Sequence, residues 1–197
     1  MVDLSHQGCV LWFTGLSGAG KSTISQLVAN SLKFLGCKVE LLDGDAVRTH
    51  LSKGLGFSRE DRNVNVLRIG YVCQLLSRNG VIAIAAAISP YRDSRDQLKA
   101  SIPGFIEIFV DCPLEECINR DVKGLYAKAL SGQIPNFTGV SDPYEPPHSP
   151  DLVLRTWEET ILESGLKIFT FMNEHRYLEG VDQAAVKAAL TQFHTGS

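Results

Sequence analysis

The segment that most constrains this chain is Gly15-Leu16-Ser17-Gly18-Ala19-Gly20-Lys21-Ser22-Thr23, which follows directly on the apolar run Cys9-Val10-Leu11-Trp12-Phe13-Thr14. Each position of the spacing Gly15-x4-Gly20-Lys21-Ser22 has a mechanical reason. Glycines let backbone N–H groups turn inward and approach phosphate oxygens without a Cβ in the way. Lys21 then reaches β- and γ-phosphates, and the Ser22 hydroxyl ligates Mg²⁺. A helix starting here adds the positive end of its dipole. A chance glycine-rich turn is the bland alternative, and the context of strand before and helix after speaks against it. The segment predicts a site for ATP with Mg²⁺, Gly15 through Thr23 being its ATP-binding residues. It says nothing about the acceptor.

Beyond this loop, apolar runs alternate with longer amphipathic stretches, the pattern of a parallel α/β sheet. Strands are expected at 9–14, 39–42, 81–86, 105–110 and 152–154. Helices are expected at 21–35, 46–51, 59–77, 94–100, 113–120, 157–162 and 182–195. The fold class is therefore α/β, a P-loop NTPase fold with a five-stranded, mostly parallel sheet and helices on both faces. Residues 121–150 collect Gly, Pro and Ser, ending in Asp142-Pro143-Tyr144-Glu145-Pro146-Pro147-His148-Ser149-Pro150. An irregular stretch of that length inside a domain is usually functional, so it reads as a mobile lid. No repeat or linker divides the 197 residues, which are expected to form one domain.

Composition narrows the function. A net charge of −3 disfavours a general nucleic-acid binder, which needs a broad basic face. The five cysteines contain no C-x-x-C pair and mostly sit in apolar runs, so reduced, buried thiols are expected. Cys112 and Cys117 are near neighbours, but a disulfide is the minor reading. The N-terminus lacks a signal-peptide pattern and no apolar run is long enough to span a bilayer. The expectation is a cytoplasmic protein with neither membrane nor nucleic-acid partner.

Ligands of doubly wound sheets sit beyond the carboxyl ends of the strands. At that edge the second strand delivers Asp43-Gly44-Asp45 with Arg48 one turn on. The third delivers Ile88-Ser89-Pro90-Tyr91-Arg92 and the fourth Asp111-Cys112-Pro113. Carboxylates, a hydroxyl and arginines beside a triphosphate site suit phosphoryl transfer to a small anionic acceptor. Asp45 can take the proton of an attacking hydroxyl or orient Mg²⁺-bound water, and it can equally be a helix N-cap. Arg62 and Asn65 share a helix face. Phe57, in a glycine-flanked turn, is either a core anchor or a stacking surface for a base.

Together these segments resemble the adenylyl-sulfate kinases, which phosphorylate the 3′-hydroxyl of adenosine 5′-phosphosulfate with ATP. The likeness covers about residues 8–160 and rests on the phosphate loop and on Leu42-Asp43-Gly44-Asp45-Ala46-Val47-Arg48. It continues through Gly54-Leu55-Gly56-Phe57-Ser58 with Asp61, Arg62 and Asn65, then Ile88-Ser89-Pro90-Tyr91-Arg92 and Phe109-Val110-Asp111-Cys112-Pro113-Leu114. Arg120-Asp121-Val122-Lys123-Gly124-Leu125-Tyr126 and Phe137-Thr138-Gly139 complete it. The resemblance implies that Phe57 and Phe137 sandwich the acceptor adenine. Asp43, Asp45, Arg48, Arg62, Asn65, Ile88, Ser89, Lys123, Gly124 and Leu125 would complete the acceptor pocket, while Arg120 and Thr138 join the ATP site. Lys21, Asp45 and Ser89 are the implied catalytic residues.

Ser89 matches the serine assigned in the family to a phosphorylated intermediate. A loose in-line transition state needs positioning and charge neutralisation but no covalent step, so direct transfer with Ser89 as a binding residue is expected. The family also implies a homodimer. Ala87 stands where an aromatic is frequent and Ala46 where Asn is common, departures that bear on affinity more than on activity. Two other readings compete with this one. A non-catalytic nucleotide sensor is disfavoured by the intact Lys21, Ser22 and Asp45, and a kinase for a different metabolite by the aromatic pair Phe57 and Phe137.

Overall fold

The computed structural model describes residues 4–43, 47 and 50–194. In chain order, β1 (Ser5–His6) and β2 (Cys9–Thr14) lead through the phosphate loop into α1 (Lys21–Phe34). Then come β3 (Val39–Asp43), α2 (Arg59–Ser77), β4 (Ile82–Ala86), α3 (Arg92–Ser101) and β5 (Phe105–Asp111). The last elements are α4 (Leu114–Arg120), α5 (Leu125–Leu130), β6 (Leu152–Arg155), α6 (Ile161–Glu174), β7 (Leu178–Glu179) and α7 (Gln183–His194). The main sheet has five strands in the order β3-β4-β2-β5-β6, and every pairing in it is parallel.

All six residues of β2 are buried because a central parallel strand is covered on both faces. Successive side chains alternate between two cores. Leu11 and Phe13 pack with Val28 and Leu32 of α1 and with Phe169 and Met172 of α6. Val10 and Trp12 pack with Val66, Ile69 and Cys73 of α2 and Leu98 of α3. Helices therefore cover both faces, as expected. All five cysteines are buried and free.

Three features differ from the sequence expectation. The helix expected at 157–162 is α6, which begins at Ile161, because the Thr160 side chain accepts from the Glu163 amide while Glu163 accepts from the Thr160 amide. That capping box is a strong helix start, and the turn before it absorbs Trp157 to Glu159. Within 121–150, α5 is helical because both carboxylate oxygens of Asp121 take backbone amides, those of Tyr126 and Ala127 at 2.9 and 3.0 Å. Finally, β1 and β7 form a separate antiparallel pair, Ser5 opposite Glu179, too short to show periodicity.

The Pro-rich strap 142–150 has no regular structure, yet it is moored at several points. The Glu145 amide donates to Pro90 O at 2.8 Å, and Lys99 Nζ reaches Ser149 O at 3.0 Å and Asp151 Oδ2 at 2.8 Å. Among the described residues no helix is long and apolar enough to cross a membrane. The Thr160→Ala substitution removes the α6 cap and is expected to cost about 1 kcal/mol. Urea denaturation checks this through a lower midpoint at unchanged m-value.

Candidate active site

The loop from Gly15 to Gly20 leaves β2 at the centre of the sheet. Gly15 has φ 150, and a Cβ there would lie 2.5 Å from Val110 O, so only glycine permits this approach to β5. Gly20 caps α1 with φ 100, and no acidic residue occupies the first turn of that helix to offset its dipole. Lys21 is 9% exposed. Its Nζ donates to Gly15 O at 3.0 Å and Leu16 O at 2.7 Å, folding the ammonium over the loop. Burial lowers its pKa to about 8, with nearby Lys123 pushing the same way against Cys117 and Asp43. Ser22 Oγ donates to Asp43 Oδ1 at 3.3 Å. Two hard oxygen donors thus stand side by side where the loop meets the end of β3, a donor set that suits Mg²⁺.

Two residues that the sequence reading did not single out fasten the loop from outside. Tyr126 of α5 donates its hydroxyl to Ser17 O at 2.9 Å, and Thr156 Oγ1 donates to Ala19 O at 2.8 Å. Arg120 Nη2 in turn donates to Thr156 O at 2.7 Å. A cavity of about 230 Å³ opens here, lined by Gly20, Thr23, Arg120, Thr156, Glu159 and Ser164. Arg120 is thereby held beside the start of α1.

Beside the end of β2, the exit of β4 forms a buried turn. Ser89 is 2% exposed and has φ 40. Its Oγ accepts from Trp12 Nε1 at 3.1 Å and donates to Thr14 Oγ1 at 3.0 Å. Thr14 passes its proton to Ile88 O at 2.8 Å and lies 3.0 Å from the Tyr144 hydroxyl. The Ser89 hydroxyl is thus enclosed, with Trp12 and Thr14 as its side-chain partners. Ala87 donates its amide to Phe13 O at 3.1 Å, continuing the β2–β4 ladder.

Arg62 joins the two aromatic segments. Its Nε donates to Phe57 O at 2.9 Å, Nη1 to Thr138 Oγ1 at 2.8 Å and Nη2 to Asn136 O. The guanidinium also lies 5.7 Å from the Phe57 ring centroid. Phe57 is 49% exposed, and Phe137 meets the Tyr126 ring edge-on at 5.1 Å. Thr138, expected at the ATP site, is 2% exposed and hydrogen-bonded to Arg62. Its position follows from the turn geometry, since it bridges Asp142. Asn65 accepts from Ser52 Oγ. Gly124 caps α5 ahead of Leu125, and Lys123 is exposed beside them. Asp45, Arg48, Ala46 and half of the helix expected at 46–51 lie outside the described residues.

A phosphate cradle on one side of the central strand, and a floor with an arginine-linked aromatic pair on the other, define a P-loop kinase. Comparison with known proteins narrows the class. The adenylylsulphate kinase family profile matches residues 7–155. The adenylyl-sulfate kinase of Picosynechococcus sp. is 55% identical over 175 residues, 89% of this chain and 99% of that protein. The APS kinase of Mycobacterium tuberculosis, solved in complex with AMPPNP and APS, superposes with a TM-score of 0.80. It is 40% identical, over 85% of this chain and 99% of that one. A hexameric APS kinase from Thiobacillus denitrificans is 38% identical with a TM-score of 0.67, over 87% of this chain and 30% of that one. The chain belongs to the adenylylsulphate kinase family.

The lowered Lys21 pKa has a readable consequence. An amine is cationic below its pKa, so the free enzyme loses this charge as pH rises through about 8. The kcat/KM for Mg-ATP reports free-enzyme groups and is expected to fall on an alkaline limb centred near pH 8. Lys21→Arg, whose guanidinium stays charged, should lower kcat/KM overall and erase that limb in a pH-rate series.

Proposed function

We propose that this protein is an adenylyl-sulfate kinase, converting ATP and adenosine 5′-phosphosulfate into ADP and 3′-phosphoadenylyl sulfate. One observation carries the reading. An intact phosphate loop and the Arg62-linked segments bearing Phe57 and Phe137 converge on one sheet edge, in a chain 40% identical to a kinase bound to AMPPNP and APS.

The residues divide by side. The amides of the loop at Gly15, Leu16, Ser17, Gly18, Ala19 and Gly20, with Thr23, hold the ATP phosphates, and Arg120 borders the base. Lys21 exchanges the carbonyls of Gly15 and Leu16 for phosphate oxygens, an exchange favoured because a dianionic partner restores the charge that burial opposes. Ser22 and Asp43 would hold Mg²⁺, which neutralises charge developing on the β- and γ-phosphates. Phe57 and Phe137 stack the acceptor adenine. Arg62, Arg48, Asn65, Lys123 and the backbone at Ile88, Ser89, Gly124 and Leu125 orient its phosphosulfate and ribose. Asp45 receives the proton of the attacking 3′-hydroxyl. Transfer is direct and in line, with Ser89 shaping the floor. The protein acts in the cytoplasm, which the five unpaired thiols support, and its working unit is a homodimer.

A coupled ADP-release assay tests this. Adenosine 5′-phosphosulfate is expected to stimulate release well above ATP alone, and Lys21→Ala to abolish it while the thermal midpoint holds. Absence of stimulation in the native chain would sink the reading. Phe137→Ala should raise the acceptor KM about tenfold, the scale of a lost base–aromatic stack, and leave the ATP KM alone. An unmoved acceptor KM would remove Phe137 from the pocket.

A further inference from the structure

Arg95 of α3 is 1% exposed and its partner Glu107 of β5 is 3% exposed, so a full ion pair lies under the acceptor floor. Its Nε meets Glu107 Oε1 at 2.8 Å. Nη1 donates to Ser89 O, and Nη2 donates to Glu145 O at 2.6 Å. One planar fork thus ties together β5, the turn after β4 and the strap. The same guanidinium lies 5.8 Å from the ring centroid of Tyr144, whose hydroxyl is 3.0 Å from Thr14 Oγ1.

Two facts make this more than packing. Ser89 is at φ 40, a left-handed conformation that a side-chain-bearing residue rarely adopts, and it precedes Pro90, which narrows its choices further. Such a residue persists only where its surroundings over-determine it. Here the carbonyl takes the Arg95 fork while the hydroxyl takes Trp12 Nε1 at 3.1 Å. Second, a buried ion pair adds little stability over two apolar side chains of like volume. Its presence calls for a geometric role, and only a fork with donors fixed in one plane can meet all three partners at once.

We propose that Arg95 is a positioning residue for acceptor binding: it holds Ser89 in its left-handed turn and moors Glu145 with the same guanidinium, so that the floor and the strap beside it keep one geometry. The inference rests on the proposed function, since the acceptor is what the floor would receive.

The test is steady-state kinetics with Mg-ATP and adenosine 5′-phosphosulfate on two variants, each with its thermal midpoint. Arg95→Lys keeps a charge for Glu107 but has no fork. The double variant Arg95→Met/Glu107→Leu replaces the pair by apolar groups and removes the danger of an orphaned carboxylate. Both are expected to fold, to keep the ATP KM, and to raise the acceptor KM on the order of tenfold or more. A role in folding alone would give the opposite: midpoints that fall with Arg95→Lys and recover in the apolar pair, together with a native acceptor KM there. That result overturns the proposal. So does a rise of both KM values in parallel, or failure of both variants to fold. If the native chain does not turn over the acceptor, the functional reading fails and takes this inference with it. A working native chain with unmoved variants removes only the inference.

Discussion

The site depends on parallel register. Phe13 pairs with Ala86 on one side of β2, and Thr14 with Phe109 on the other, so three strands end at nearly one level. The chain then has to turn away at the same edge three times. Gly15 makes the first of these turns, packed against Val110 O, and α1 follows with the amides of its first turn facing the loop. With β2 paired on both sides, the cradle cannot shift without breaking two ladders. The two ladders hold the root of the loop, and the Tyr126 and Thr156 hydroxyls brace its far side.

Charge is then distributed around that edge by residues from distant elements. At the phosphate loop the cation is Lys21, whose burial disfavours its charge. Arg62 and Arg95 both spend guanidinium N–H groups on backbone carbonyls of the 136–145 segment. A segment with no regular structure of its own has carbonyls to be met, and arginine can meet several at once. Within the limits that Pro143, Pro146, Pro147 and Pro150 set on its backbone, the strap is held in place by Arg95 and Lys99.

The fold was legible because its elements are long and strongly patterned. The runs at 9–14, 81–86 and 105–110 lie within one residue of β2, β4 and β5, and the helix expected at 59–77 coincides with α2. The departures have local causes. The capping box at Thr160 and Glu163 was present in the sequence as a Thr-x-x-Glu signal, and the Asp121 cap of α5 was hidden in a stretch rich in Gly and Pro. Arg95 looked like one more polar residue on a short helix. Its burial depends on Glu107 and Ser89, 12 and 6 residues away, arriving at the same point, which no local pattern announces. Thr138 was placed with ATP because of its segment, while its hydroxyl faces Arg62, 76 residues away.

By itself the sequence determined the phosphate loop, the parallel sheet and the identity of the residues available at its edge, because each is a matter of spacing and of local backbone chemistry. Only the tertiary structure decided how those residues are joined: Lys21 folded onto its own loop, Ser89 turned inward, Arg62 spanning two aromatic segments, Arg95 buried between Glu107, Ser89 and Glu145. Those are contacts between elements far apart in the chain, and they exist only once the sheet has set the distances between them.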